Sequence, residues 1–155
     1  MNHWLMKSEP DTFGIDHLAK APKRTSGWDG VRNFQARNFL REMRVGDLVF
    51  FYHSSCDVPG LAGIPQVVRQ AYPDRTAFDP KNDHYDADSD PDKPRWYMVD
   101  VQLVKKFDRV IALEELRKHA SGKLKEMVVL KRGNRLSITP VTKSEWQFIE
   151  SLAGK

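Results

Sequence analysis

Between Trp28 and Gly46 the chain gathers a flat aromatic ring, several planar hydrogen-bonding groups and a row of cations. Trp28, Arg32, Asn33 and Gln35 stand at the entry to a helix, and Arg37, Arg41 and Arg44 follow at i, i+4 and i+7. A ring offers a stacking face, amides and guanidinium groups offer fixed donors and acceptors, and cations behind them attract an anion. The ligand that suits all three is flat, polar and linked to negative charge, which describes a nucleotide base. A core tryptophan beside a solvated arginine face explains the same residues one at a time. The functional reading therefore rests on convergence with other stretches.

Those groups need elements to position them. Ala36, Phe39, Leu40 and Met43 share one helical face, which predicts an amphipathic helix ended by Gly46. Upstream, His3 to Lys7 reads as a first strand closed by Ser8-Glu9-Pro10. A helical turn or two over Phe13 to Leu18 follows, then a polar loop from Lys20 to Gly27. Downstream, Asp47 to His53 is apolar on both faces, the pattern of a strand covered on both sides. Leu61 to Tyr72 is a further strand, with Gly60 and Gly63 marking a bulge or close approach and Pro65 an edge or bend. Arg95 to Phe107 is the longest strand, Leu113 to His119 a short helix ended by Gly122, and Leu136 to Ile138 the last strand. Thr142-Lys-Ser-Glu145 is a capping box with Val141 placed to staple against Trp146; the closing helix buries Trp146, Ile149, Leu152 and Ala153. Residues 73–94 read as a long flexible acidic loop with too few apolar residues to pack. Together these predict an α+β class, a small mixed β-barrel of five to six strands with short helices packed outside, in one domain over residues 1–155.

The net charge of +4 is unevenly spread: residues 74–92 hold seven acids and two bases, leaving 23 bases against 14 acids elsewhere. A basic body with one acidic loop fits a polyanion on one face. A single cysteine, Cys56, excludes an internal disulfide and a cysteine metal site. With no basic leader at the N-terminus and no apolar run of spanning length, the chain reads as soluble, without a membrane partner.

Catalytic patterns fail one after another. No phosphate-cradling loop and no dinucleotide fingerprint occur, and His3, His17, His53, His84 and His119 have no metal-ligand spacing. Asp86-Ala-Asp88-Ser-Asp90 imitates the start of a calcium loop, but Pro91 occupies the glycine position and Tyr97 the closing glutamate position. Cys56 lies three residues from His53 without a visible oxyanion site. The expectation is a binding protein with no catalytic residue, no cofactor and no metal.

Five stretches then occur in a recognisable order: Trp4-Leu-Met-Lys-Ser-Glu-Pro10, Gly30-Val-Arg-Asn-Phe-Gln-Ala-Arg-Asn38, Val45-Gly-Asp-Leu-Val-Phe-Phe-Tyr-His-Ser54, Gly60-Leu-Ala-Gly-Ile64 and Arg135-Leu-Ser-Ile-Thr-Pro-Val141. In that order they resemble the EVE domain family over nearly the whole chain; residues 73–94 and 113–129 add little. The resemblance implies a PUA-like barrel related to YTH domains, and a non-enzymatic reader of a modified base. Cytosine in DNA carrying a methyl or hydroxymethyl group is the leading ligand. It implies a base pocket of Lys7, Ser8, Trp28, Asn33, Gln35, Asn38, His53, Ser54 and Trp96, with Arg32, Arg37, Arg41, Arg132 and Arg135 on phosphates. It also implies a cytoplasmic location for a bacterial-type single-domain protein, or a nuclear one in a eukaryote, with a monomer as the default state. Rival readings stay open at this point: an RNA module recognising a modified tRNA or rRNA nucleotide, a nucleoside sensor or enzyme, and a protein-interaction domain.

Overall fold

The computed structural model describes residues 1–154. Six strands form one sheet: β1 (His3–Ser8), β2 (Thr25–Trp28), β3 (Leu48–His53), β4 (Gly60–Pro73), β5 (Tyr97–Ala112) and β6 (Ile138–Val141). Their spatial order is β2-β5-β4-β3-β1-β6, with β1 and β3 parallel and every other pair antiparallel. Five short helices accompany them: α1 (Pro10–Phe13), α2 (Ile15–Lys20), α3 (Phe34–Glu42), α4 (Leu113–Arg117) and α5 (Lys143–Leu152). The α+β class is as expected, but the sheet is not closed, because β2 and β6 stand at its two edges.

Strand β3 is covered on both faces. Val49 and Phe51 join Trp4, Met6, Trp28, Leu18 and Leu40 in one core, on the side of α2 and α3. Phe50 and Tyr52 join Leu5, Leu61, Ile111, Leu116, Trp146 and Ile149 in the other, on the side of α4 and α5. The period-two alternation of side chains makes both cores from one run of apolar residues. The closing helix carries the expected capping box, Thr142 Oγ1 accepting from the Glu145 amide and the Glu145 carboxylate accepting from the Thr142 amide. Trp146 and Ile149 are buried, whereas Leu152 and Ala153 are only partly so.

Three expectations need correction. The polar stretch from Lys20 to Gly27 is not all loop, for its second half becomes β2 by pairing Thr25–Trp28 with Gln102–Val99; tertiary pairing overrides a weak local preference. The last strand begins at Ile138, not Leu136, and contains Pro140, which an edge strand tolerates. Pro65 lies in an interior strand, at a register shift in the β4–β5 ladder, so it marks a bend and not an edge.

One carboxylate ties the N-terminus to this frame. Asp47, 2% exposed, accepts from the Asn2 amide, the Trp4 indole N–H and the Arg44 amide, each at 3.0 Å. Burial pushes its pKa up, but those three donors outweigh burial and hold it below the ordinary carboxylate value. A group depressed in the folded state contributes stability above its unfolded pKa and loses it as pH falls through the folded one. Asp47→Ala is expected to cost about 3 kcal/mol at neutral pH by stranding three donors, and to flatten the loss of stability below about pH 4. Urea unfolding across that pH range measures both effects.

Candidate nucleic-acid interface

At one end of the sheet, where β1 and β2 finish, the chain encloses an open cavity of about 670 Å³. Its lining comes from five segments: Lys7 and Ser8 at the end of β1 with Glu9 after it; Thr12 and Phe13 of α1; Ser26 to Arg32 along β2 and beyond; Asp83 and His84; and Ser137 before β6. The ends of the parallel pair are spliced by the Ser54 amide donating to the Ser8 carbonyl at 2.9 Å. Trp28 is 6% exposed, so nearly all of its ring is packed. It meets Phe51 and Phe13 edge-on, at centroid distances of 5.2 and 5.9 Å, which fixes the wall it gives the cavity.

Of the charged residues that line this space, Lys7, Glu9, Asp29 and Asp83 make no side-chain hydrogen bond or ion pair among the described residues. The Lys7 ammonium lies 5.7 Å from the centre of the Tyr52 ring, and burial pulls its pKa below the ordinary lysine value. The Asp29 carboxyl is pushed above its ordinary value, first by desolvation and then by the nearby negative charge of Asp74. Around them the hydroxyls are better served: Ser8 donates to the Phe13 carbonyl at 2.7 Å, and Ser26 to the Gly27 carbonyl at 3.0 Å, leaving both oxygens free to accept. A donor, a carboxylate acceptor, a rigid ring and hydroxyl acceptors in one cavity suit a planar heterocycle with a mixed hydrogen-bonding edge.

The far wall is built by the acidic segment 73–94, which packs through polar anchors where apolar ones are scarce. Asp74, fully buried, accepts from the Gly30 amide at 2.8 Å, the Arg32 guanidinium at 3.0 Å, and both the amide and hydroxyl of Thr76. These donors overcome the burial that raises its pKa and hold it below the ordinary value. Arg32 spends its remaining N–H groups on the His84 and Val31 carbonyls and the Thr76 hydroxyl. Gly30 has φ +79°, and a Cβ there would come within 2.5 Å of the His84 ring. The left-handed turn favours glycine, and the His84 ring fills the space that a side chain would take. Further along, Asp86 accepts the Trp96 indole N–H at 2.6 Å and pairs with Arg95 at 3.4 Å.

Of the nine residues expected in the base pocket, the cavity brings together Lys7, Ser8 and Trp28. The others stand one layer back or outside. Asn33 caps α3 by accepting from the Ala36 amide, Asn38 accepts from Arg37, and Gln35 is exposed on the first turn of α3. His53 accepts the Ile15 amide through Nε2 at 3.1 Å and so starts α2; burial lowers its pKa and keeps that nitrogen an acceptor. Ser54 reaches the site only through its backbone splice. Trp96 is buried behind the rim, stacked on Phe34 with centroids 4.9 Å apart.

The five arginines divide similarly. Arg32 lines the cavity with every guanidinium N–H already engaged, and Arg37 is tied to the Arg95 carbonyl at 2.8 Å. Arg41 lies over the Tyr97 ring at 4.9 Å. Arg132 and Arg135 are exposed, without a hydrogen bond or ion pair among the described residues, shortly before the cavity residue Ser137. Sequence reasoning missed Asp29, Ser26, Ser137 and His84. Asp29 stood in plain view beside Trp28, whereas His84 reaches the site only by folding back across the chain. Among the described residues, no group of three or more histidine, cysteine or acidic side chains is placed to hold a metal ion.

A family model described as the EVE domain matches residues 2–152. Human thymocyte nuclear protein 1 is 49% identical over 99% of this chain and 75% of its own length. A crystal structure of human THYN1 in complex with 5-methylcytosine-containing DNA superposes with a TM-score of 0.96 at 48% identity, covering 100% of this chain and 99% of that one. A Pseudomonas putida protein gives 0.93 at 50% identity, covering 97% and 99%. The Mmi1 YTH domain, at 13% identity and a TM-score of 0.57 over 99% of this chain and 88% of that one, shares the fold alone.

Breaking the Asp74 node tests how the far wall is held. Asp74→Ala is expected to speed proteolysis at Arg75 and Lys81 by roughly tenfold through local opening, while amide exchange in β3 and β4 stays protected. Limited trypsin digestion with mass spectrometry reads the first, and hydrogen exchange the second.

Proposed function

This chain belongs to the EVE domain family, and from that membership we propose that it is a non-enzymatic reader of modified cytosine in DNA, built on a PUA-like α+β fold. One observation carries the reading: the chain superposes along its whole length on a human relative whose structure holds 5-methylcytosine-containing DNA. The cavity beside Trp28 supplies the chemistry such a ligand needs. A base within a duplex is shielded by its neighbours, so a pocket reader takes it out of the stack at a cost of a few kcal/mol. A cavity of about 670 Å³ falls in the range that accepts small planar ligands.

Within it, the cytosine edge presents an amino donor followed by two acceptors. Asp29 accepts from the exocyclic amine, a pairing that carboxylates make with cytosine, and Lys7 donates to a ring acceptor or to the adjoining phosphate. Thymine turns a carbonyl oxygen toward Asp29, so that residue selects against it. The added methyl meets the apolar wall of Trp28 and Phe13, and one such group changes fit by only about 1–3 kcal/mol. Preference for the modified base over plain cytosine is therefore moderate. Arg132 and Arg135, with their guanidinium groups free, supply the sequence-independent attraction to phosphate; Arg32 acts on the wall and not on the backbone.

Anisotropy titrations with otherwise identical oligonucleotides, carrying 5-methylcytosine or cytosine, test the reading, with an RNA strand as a further arm. The modified DNA is expected to bind more tightly. Lys7→Met should weaken it by roughly tenfold, and Asp29→Asn should erase discrimination against a thymine placed in the same position. Equal affinity for modified and plain DNA, untouched by Lys7→Met, discards the reader; tighter binding of the RNA moves the polymer assignment. For the charge contribution, Arg132→Glu combined with Arg135→Glu should weaken every DNA alike and reduce the slope of log affinity against log salt by about 2. An unchanged slope means that those two arginines touch no phosphate.

A further inference from the structure

We propose that Phe34 is a wedge that enters the base stack of duplex DNA and fills the gap left by the nucleotide extruded into the cavity. The inference rests on the reader function above and assigns a role to a side chain outside the pocket. Phe34 opens α3 and is 54% exposed, although nothing in its sequence setting requires an aromatic ring there. Exposed apolar side chains occur singly on many surfaces, but this one is held in place. Its ring stacks on the Trp96 indole, with centroids 4.9 Å apart and planes 25° from parallel, and the Arg37 guanidinium carbon lies 5.1 Å from its centroid. Both supports are themselves fixed, Trp96 by the Asp86 carboxylate and Arg37 by the Arg95 carbonyl. The exposed part of the ring is therefore presented with little rotamer freedom left to lose on binding.

Its position suits a wedge. Arg32 lines the cavity, and Asn33 between them is extended, with φ −128° and ψ 131°. Two peptide units in that form put the Phe34 Cα within about 7 Å of the Arg32 Cα, so the start of α3 adjoins a cavity-lining residue. Charge identifies the partner. Phe34 shares its helix with Arg37 and Arg41, and Arg44 lies two residues beyond its end. A cationic setting around an apolar ring suits a polyanion with apolar interior faces, which is what stacked base pairs within a phosphate sheath offer. Proteins that kink or open a duplex insert apolar side chains between base steps in this way. An aromatic ring also recovers stacking that the neighbours of an extruded base have lost.

The test compares one 5-methylcytosine strand, free and in duplex, with its unmodified counterparts, for the wild type, Phe34→Ala and Phe34→Leu. Circular dichroism of both variants should overlay the wild type, since the ring is largely outside the core. The expected result is a loss of roughly tenfold in duplex affinity for Phe34→Ala, with single-strand affinity held within about twofold, because only the duplex has a stack to open. Phe34→Leu, which keeps an apolar wedge, should fall between. Equal losses on duplex and single strand, or no loss on either, overturn the wedge while leaving the modified-base preference intact. No preference for the modified base in the wild type overturns the reader function, and the wedge with it.

Discussion

The cavity depends on a buried negative charge. Asp74 has no solvent to spread its charge, and it is held by the Gly30 amide, the Arg32 guanidinium and two groups of Thr76. A buried carboxylate with incomplete partners costs several kcal/mol, so all four donors must be in place for the segment to settle. The three residues that supply them do double duty. Gly30 sets the turn after Trp28, Arg32 borders the pocket, and Thr76 begins the segment that delivers His84. One satisfied charge thereby couples the entry to α3 with an acidic excursion more than forty residues away. The acidic segment is thus part of the site, although its composition marks it as the least ordered stretch of the chain.

Polar groups around the cavity fall into two kinds. Most are spent on structure: His53 on the Ile15 amide, Asn33 on a helix cap, Arg32 on the loop, Trp96 on Asp86. Lys7, Glu9, Asp29 and Asp83 are not, and burial moves the pKa of Lys7 down and that of Asp29 up. Unspent groups of opposite charge beside one cavity are informative for that reason. In the proposed reading they set the hydrogen-bonding pattern that the base complements, while the packed rings of Trp28 and Phe13 set its thickness and flatness.

Much of the frame was legible from local pattern. The apolar face of Ala36, Leu40 and Met43, the doubly covered strand from Leu48 to His53, and the Thr142–Glu145 box all lie where periodicity and capping chemistry put them. What was not legible depended on distant partners. Thr25–Trp28 has weak strand character and becomes β2 only because β5 offers an edge. Asn33 and Asn38 carry the right chemistry for reading a base, and their side-chain oxygens accept from the Ala36 amide and from Arg37, a demand that sequence alone does not reveal. His84 could not be placed without Gly30, whose lack of a side chain is the other half of their contact. The Trp96 indole N–H likewise has its acceptor in the acidic segment.

A pocket of this kind makes a spectroscopic demand that backbone binding alone does not. The most direct measurement is an NMR spectrum of duplex DNA carrying a single 13C-methyl-labelled 5-methylcytosine, recorded free and bound. With the base seated against Trp28 and Phe13, the methyl resonance should move under their ring currents and show contacts to indole protons. A methyl signal that keeps its free-duplex position while the complex forms would mean that the base stays in the stack, and the cavity would have no part in recognition.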